Sequence, residues 1–75
     1  MCIAIPAKVV RVTEHEAEVD LMGNTKKVNI DLVAEDLKPG DYVLVHAGHA
    51  IEKIEESIAL ETLAIFEEAI EKSEY

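Results

Sequence analysis

Apolar and polar residues alternate along this 75-residue chain with two different periods, one close to two up to about residue 54 and one close to 3.6 beyond it. From Lys8 to Thr13 the run Lys-Val-Val-Arg-Val-Thr is rich in β-branched side chains and predicts a strand. Glu14-His15-Glu16 reads as a short polar turn. Ala17 to Leu21 then alternates strictly, with Ala17, Val19 and Leu21 on one face, the strongest strand pattern in the chain. Gly23 and Asn24 both tolerate φ > 0, so Met22 to Thr25 predicts a hairpin turn. The return strand runs from Lys26 to about Ile30, with Val28 and Ile30 facing inward. Asp31 to Leu37 is less periodic and reads as a connecting turn. Lys38-Pro39-Gly40-Asp41 has Pro at i+1 and Gly at i+2, the arrangement of a type II turn. Tyr42 to Ala47 is apolar on both faces, as in a strand that is central or covered. Gly48 breaks that run, and Ala50 to Ile54 predicts one more short strand. Four or five short strands joined by tight turns predict a mainly β fold, a small antiparallel barrel.

Beyond the barrel the spacing is helical. At 100° per residue Ile58, Thr62, Ile65 and Ala69 cluster together, and Ala59, Leu63, Phe66 and Ile70 extend the same face. Glu61, Glu67, Glu68, Glu71 and Lys72 fill the remainder. The pattern predicts an amphipathic helix to about Lys72, with Glu55 and Glu56 suited to the positive end of its dipole. Packing of the whole arc on the barrel is the expectation. The alternative is that one edge docks a partner, with Leu60, which lies outside the main arc, as the contact. The organisation expected is a barrel over 1–54 and a packed helix over 55–75, together one domain, without repeats or linker.

Size and charge narrow the possibilities. A core this small supplies no more than about 3–5 kcal/mol, so such scaffolds usually add disulfides, a metal or a partner. A single cysteine rules out an internal disulfide, and no zinc-type pairing of cysteines exists. Sixteen acidic against seven basic residues give a net charge of −9. Phosphate backbones and anionic membranes both require clustered Lys and Arg, so neither nucleic acid nor a membrane is the expected partner. A protein surface that is neutral or basic suits this chain better. The N-terminal stretch lacks the charged region, apolar run and cleavage site expected of a secretory signal, and no apolar run approaches the ~20 residues of a membrane span. A cytoplasmic protein is expected, where an unpaired thiol stays reduced.

Few residues can carry chemistry. No glycine-rich phosphate loop or serine nucleophile motif exists. Cys2, the lone cysteine, stands one position from the start, followed by Ile3, Ala4, Ile5 and Pro6. Pro6 biases Ile5 toward an extended conformation, which predicts a short, stiff, apolar arm held out from the body. If Met1 is trimmed, the thiol and α-amine of Cys2 can close a five-membered chelate on a metal. The competing reading is that Ile3, Ile5 and Val9 begin a first strand that buries Cys2. His46 ends the apolar strand and shares a face with Leu44 and Tyr42, an unusual setting for an imidazole without a partner. It is either satisfied by a backbone carbonyl or converges with Cys2 on one metal. A thiolate and an imidazole suit iron or zinc, and two protein ligands leave an open site suited to carrying a metal elsewhere. His15 is expected at the surface.

Two segments carry a resemblance. Met-Cys-Ile-Ala-Ile-Pro-Ala-Lys-Val-Val at the start, and Lys-Pro-Gly-Asp-Tyr-Val-Leu-Val-His-Ala-Gly-His-Ala-Ile from Lys38 to Ile51, resemble the HypC/HupF family of nickel–iron ([NiFe]) hydrogenase assembly chaperones. The resemblance covers essentially the whole length. It implies an OB-like β-barrel followed by a helix, and a protein that is not an enzyme. It implies work with a scaffold protein, HypD, which carries an iron–sulfur cluster. Together the two would assemble and carry the Fe(CN)₂CO group and deliver it to the immature large subunit of the hydrogenase. The resemblance puts the essential cysteine at Cys2 and the motif histidine at His46. The short, proline-stiffened arm from Cys2 to Pro6 costs little to order and suits docking into a partner groove, with Leu60 on the helix as the other candidate contact. The free protein is expected to be a monomer. Two positions depart from the family pattern. Ala7 replaces a glycine, so that position is extended or the arm leaves at a different angle. His49 replaces a phenylalanine, and is expected to fill a surface slot rather than to add a ligand. The competing classes are an OB-like binding module without metal chemistry and a thiol enzyme using Cys2 with His46 as base. Only three aromatic residues and the acidic charge weigh against base stacking in such a module.

Overall fold

The computed structural model describes residues 4–72. Its elements are β1 (Ile5–Val12), β2 (Glu16–Leu21), β3 (Asn24–Asn29), β4 (Tyr42–His46), β5 (His49–Ile54) and α1 (Glu56–Lys72). The strands close into a barrel in the order β1-β2-β3-β5-β4, so the predicted mainly β fold with a C-terminal helix is the observed one. All neighbours are antiparallel except β3 and β5, which meet in parallel through Asn29 and His49. No helix among the described residues is long and apolar enough to cross a membrane.

The buried set inside the barrel consists of Ala7, Val9, Ala17, Val19, Val28, Val43, Val45 and Ala50. Every one is alanine or valine, as a narrow five-stranded barrel requires, because its interior has room only for small side chains. The alternation predicted for Ala17 and Val19 is the alternation observed. Val12, Leu21, Ile30, Val33 and Leu37 pack against this set partly buried.

Both tight hairpins use the same device. Met22 and Gly23 have φ of 51° and 92°, and Ala47 and Gly48 have φ of 52° and 81°. Two consecutive residues at positive φ match the right-handed twist of the flanking strands. The first turn therefore falls one residue earlier than expected, at Met22-Gly23, and Asn24 already belongs to β3. The second turn starts β5 at His49 rather than Ala50. The Pro39-Gly40 turn is as expected, with Gly40 at φ 98° and the Asp41 N–H donating to the Lys38 carbonyl at 3.0 Å. It bolts onto β1: Gly40 N–H donates to the Val9 carbonyl (2.9 Å) and Val9 N–H to the Asp41 carbonyl (2.7 Å). The Asp41 carboxylate accepts the Lys38 N–H at 3.0 Å and lies 3.4 Å from Lys53 Nζ.

Two expectations are corrected. The first strand begins at Ile5, not Lys8, and Pro6 is fully buried within it rather than holding an arm away from the body. Pro6 pairs only with Leu44 of β4, because β2 joins β1 no earlier than Lys8. A residue without an N–H is tolerated where only one side of a strand needs donors. The second correction concerns α1. It packs on β1 and β4 through Ala59, fully buried, and through the half-buried Thr62, Leu63 and Phe66. Ile58, Ile65 and Ile70 remain 53 %, 66 % and 53 % exposed. A helix lying chiefly over two strands has room to bury a single i, i+3, i+4, i+7 stripe, and most of the rest of the apolar arc faces outward.

Candidate functional site

Three segments meet at one corner of the barrel: the leading end of β1, the β4–β5 turn and the last residue of β3. Ile5 pairs with Val45, so Ala4 and His46 are the next residues along their two strands. The carbonyl of Gly48 accepts the Asn29 N–H at 3.0 Å, which ties the turn to β3.

His46 is half-buried. Val43 and Val45 point into the barrel, and by alternation His46 takes the outer face with Tyr42 and Leu44, as the sequence pattern predicts. His49 is its direct cross-strand partner. Residues opposed in an antiparallel pair project from the same face with Cβ atoms about 4.5–5.5 Å apart. The structure therefore sets a second imidazole beside His46, where sequence reading expected only a surface slot. The missed signal was the length of the loop. Two residues ending in glycine between two apolar runs specify a hairpin, and a hairpin closes on the residues that flank it.

A chain of polar contacts fixes this corner from the β3 side. Asp31 N–H donates to Asn29 Oδ1 at 2.9 Å, and Asn29 Nδ2 donates to Asp31 Oδ2 at 3.3 Å. Asp31 Oδ1 lies 3.0 Å from His15 Nδ1, and the Ile30 N–H donates to the His15 carbonyl at 3.0 Å. The hydrogen bond from His15, followed by that from Asn29, holds the Asp31 carboxyl below its ordinary value against the opposing effect of burial. His15 is exposed as expected, but it clamps the start of β2 to the end of β3 rather than standing alone.

The remaining site residues predicted from sequence are dispersed. Cys2 and Ile3 lie outside the described residues. Ala4 and Ile5 are half-buried at the corner, whereas Pro6 is buried and offers no surface of its own. Ile5 also borders an open cleft of about 730 Å³, shared with Leu21, Met22, Asn24, Glu67 and Ile70. Leu60 is 49 % exposed in the second turn of α1. That helix starts just after Ile54, which pairs with Tyr42 at the opposite end of β4 from His46. Ala7 is extended, fully buried and paired with Val43, so alanine fits where the family pattern has glycine. Among the described residues no group of three or more His, Cys, Asp or Glu side chains is placed to hold an ion. Chemically the corner offers two adjacent imidazoles and the backbone through which the first residues join the barrel.

Comparison with known proteins agrees with the motifs. The model of the HupF/HypC family matches residues 1–66. A Helicobacter hepaticus protein named hydrogenase maturation factor HypC is 39 % identical over 72 residues, covering 95 % of this chain and 84 % of the relative. A Cupriavidus necator protein of the same name is 45 % identical over 69 residues, covering 91 % and 76 %. The Escherichia coli K12 protein of that name is 37 % identical over 68 residues, covering 84 % and 76 %. The match runs from the Cys2 segment through the barrel and into α1, and on that ground the chain belongs to the HupF/HypC family.

Proposed function

We propose that this protein is a hydrogenase maturation chaperone and iron carrier. With a HypD-type iron–sulfur scaffold protein it assembles and carries the Fe(CN)₂CO group, then hands it to the immature large subunit of a [NiFe]-hydrogenase. Cys2 and His46 hold the iron, which is cargo and not a resident cofactor, and the protein catalyses no reaction of its own. It works in the cytoplasm and is a monomer until it meets a partner.

The observation that carries this reading is the register of β1 on β4. With Ile5 opposite Val45, the chain ahead of Ile5 joins the barrel beside His46. Cys2 is two residues from Ala4, and consecutive Cα atoms are 3.8 Å apart, so its Cα is within about 7 Å of that corner whatever path the segment takes. Parity adds to reach. In an extended run residues 2, 4 and 6 share one face, and the Pro6–Leu44 pairing makes it the face of His46.

The donor set suits the cargo. Iron bearing cyanide and carbonyl is low-spin and soft, which favours a thiolate, and a neutral imidazole completes a pair of protein donors. Both must be deprotonated to bind, and neither encloses the ion, so the group remains exchangeable. Ile58, Ile65 and Leu60 on α1, together with the cleft beside Ile5, offer the apolar surface that docking to a larger partner needs. The net charge of −9 favours a partner surface that is neutral or basic.

The test is complementation of a strain lacking its own copy of this protein. Cys2→Ala should fold normally and yield no mature hydrogenase; normal maturation by that variant would end the proposal. His46→Ala should lower the iron content of the complex with the scaffold protein, and unchanged iron would remove His46 from the site.

A further inference from the structure

The register of β4 on β5 carries a second consequence. His46 and His49 are direct cross-strand partners around the two-residue Ala47-Gly48 turn. Their Cβ atoms are therefore about 4.5–5.5 Å apart on one face of the ribbon. Two imidazole nitrogens, each 2.0–2.1 Å from a tetrahedral ion, are separated by roughly 3.3 Å, a spacing that two histidine side chains so placed reach by leaning together. Of the three histidines in the chain, only His15 has a side-chain hydrogen-bonding partner among the described residues. The ring nitrogens of His46 and His49 are thus not committed elsewhere in the described fold. The turn that presents them is held on its β3 side by the Asn29 N–H to Gly48 carbonyl bond, so the pair is positioned before any ligand arrives. The Asp31 carboxylate is bonded to the side chain of Asn29, the residue that pairs with His49 across β3 and β5, and so belongs to the same corner. That negative charge, with the strongly acidic chain as a whole, favours a cation at this corner.

We propose that His46 and His49 form a bis-imidazole chelate for a divalent first-row ion of borderline softness, Ni²⁺ or Zn²⁺, at the β4–β5 turn, and that this site does not require Cys2. Imidazole suits both ions, and solvent completes a coordination shell to which the protein gives two donors. The proposal stands apart from the carrier reading, although His46 is common to both. An ion held by His46 and His49 and an iron group held by Cys2 and His46 exclude one another.

The experiment is titration of the full-length protein with Ni²⁺ and, separately, Zn²⁺, followed by calorimetry. Wild type is compared with His49→Phe, His46→Ala, Cys2→Ser and His15→Ala, and each fold is checked by circular dichroism. One ion binds per chain, and removing either His46 or His49 weakens binding roughly tenfold or more. Cys2→Ser and His15→Ala bind as wild type does. With diamagnetic Zn²⁺, the ring resonances of His46 and His49 move together while those of His15 stay in place. Wild-type affinity in His49→Phe overturns the chelate. Binding lost in Cys2→Ser but kept in His49→Phe also overturns it, assigning the ion to the Cys2–His46 pair and leaving the carrier reading intact. An absence of binding to the wild type overturns it as well.

Discussion

Ile5 sits opposite Val45 in the β1–β4 ladder, and this one pairing determines which corner of the barrel receives the start of the chain. The carrier reading depends on how many residues separate Cys2 from that pair. Inserting one glycine between Ile3 and Ala4 shifts the thiol to the opposite parity while leaving the barrel untouched. Iron in the complex with the scaffold protein should fall sharply. Ala4→Ser, which preserves the count, should leave iron content at the wild-type level in the same metal analysis.

The interface between helix and barrel turns on one small residue. Ala59 is fully buried, whereas Ile65, further along the helix, is 66 % exposed. Ala59→Leu forces extra atoms into a closed contact and should cost about 1–3 kcal/mol, read as a lower urea midpoint. Ile65→Gln should change stability by no more than about 0.5 kcal/mol. If the exposed stripe serves docking, Ile65→Gln should nonetheless weaken capture of the scaffold partner.

Asp41 holds the Pro39-Gly40 turn against the barrel, and its charge is part of the hold. Burial pushes its pKa up and is the largest single influence. The Lys38 N–H, the Lys53 ammonium and the charge of Lys38 together outweigh it, and the net shift is downward. The unfolded chain takes up this proton near pH 3.9 and the folded chain only at lower pH. Stability from Asp41 is therefore present in full above pH ~4 and is lost as pH falls through the folded value. Asp41→Asn should lower stability at pH 7 by about 1–3 kcal/mol. Its stability should also fall less steeply than wild type below pH ~4. Parallel acid limbs in urea denaturation would assign the acid sensitivity to other groups, such as Asp31.

Ala47 carries φ of 52°, a left-handed conformation that a Cβ disfavours. Asparagine adopts it more readily and is the preferred residue in such two-residue loops. Ala47→Asn should raise stability by up to about 1 kcal/mol without changing the His46–His49 pairing. Ala47→Val should lower it, and thermal unfolding distinguishes the two.

Most of the barrel was legible because its strands obey local rules. Ala17 and Val19 alternate, Pro39 and Gly40 stand at the positions a type II turn demands, and the switch to helical spacing marks α1. The misreadings came where tertiary context overrides local preference. Pro6 reads as the stiffener of an arm held out from the body, yet β1 takes it in because only β4 pairs there. Gly48 reads as the end of a run, although with Ala47 it makes a reversal that sets His49 beside His46. The helical arc is wider than the face it buries, and nothing local to α1 records that β1 and β4 form the main surface beneath it. The pairing of His46 with His49 is a matter of register, which period alone does not specify.

Infrared spectroscopy of the protein co-purified with its scaffold partner tests the central claim most directly. The carrier reading requires cyanide and carbonyl stretches in the wild-type complex and their loss when Cys2 is replaced by alanine in an equally stable complex. Undiminished bands in the Cys2→Ala complex would contradict it, since the group would then be held without the sulfur.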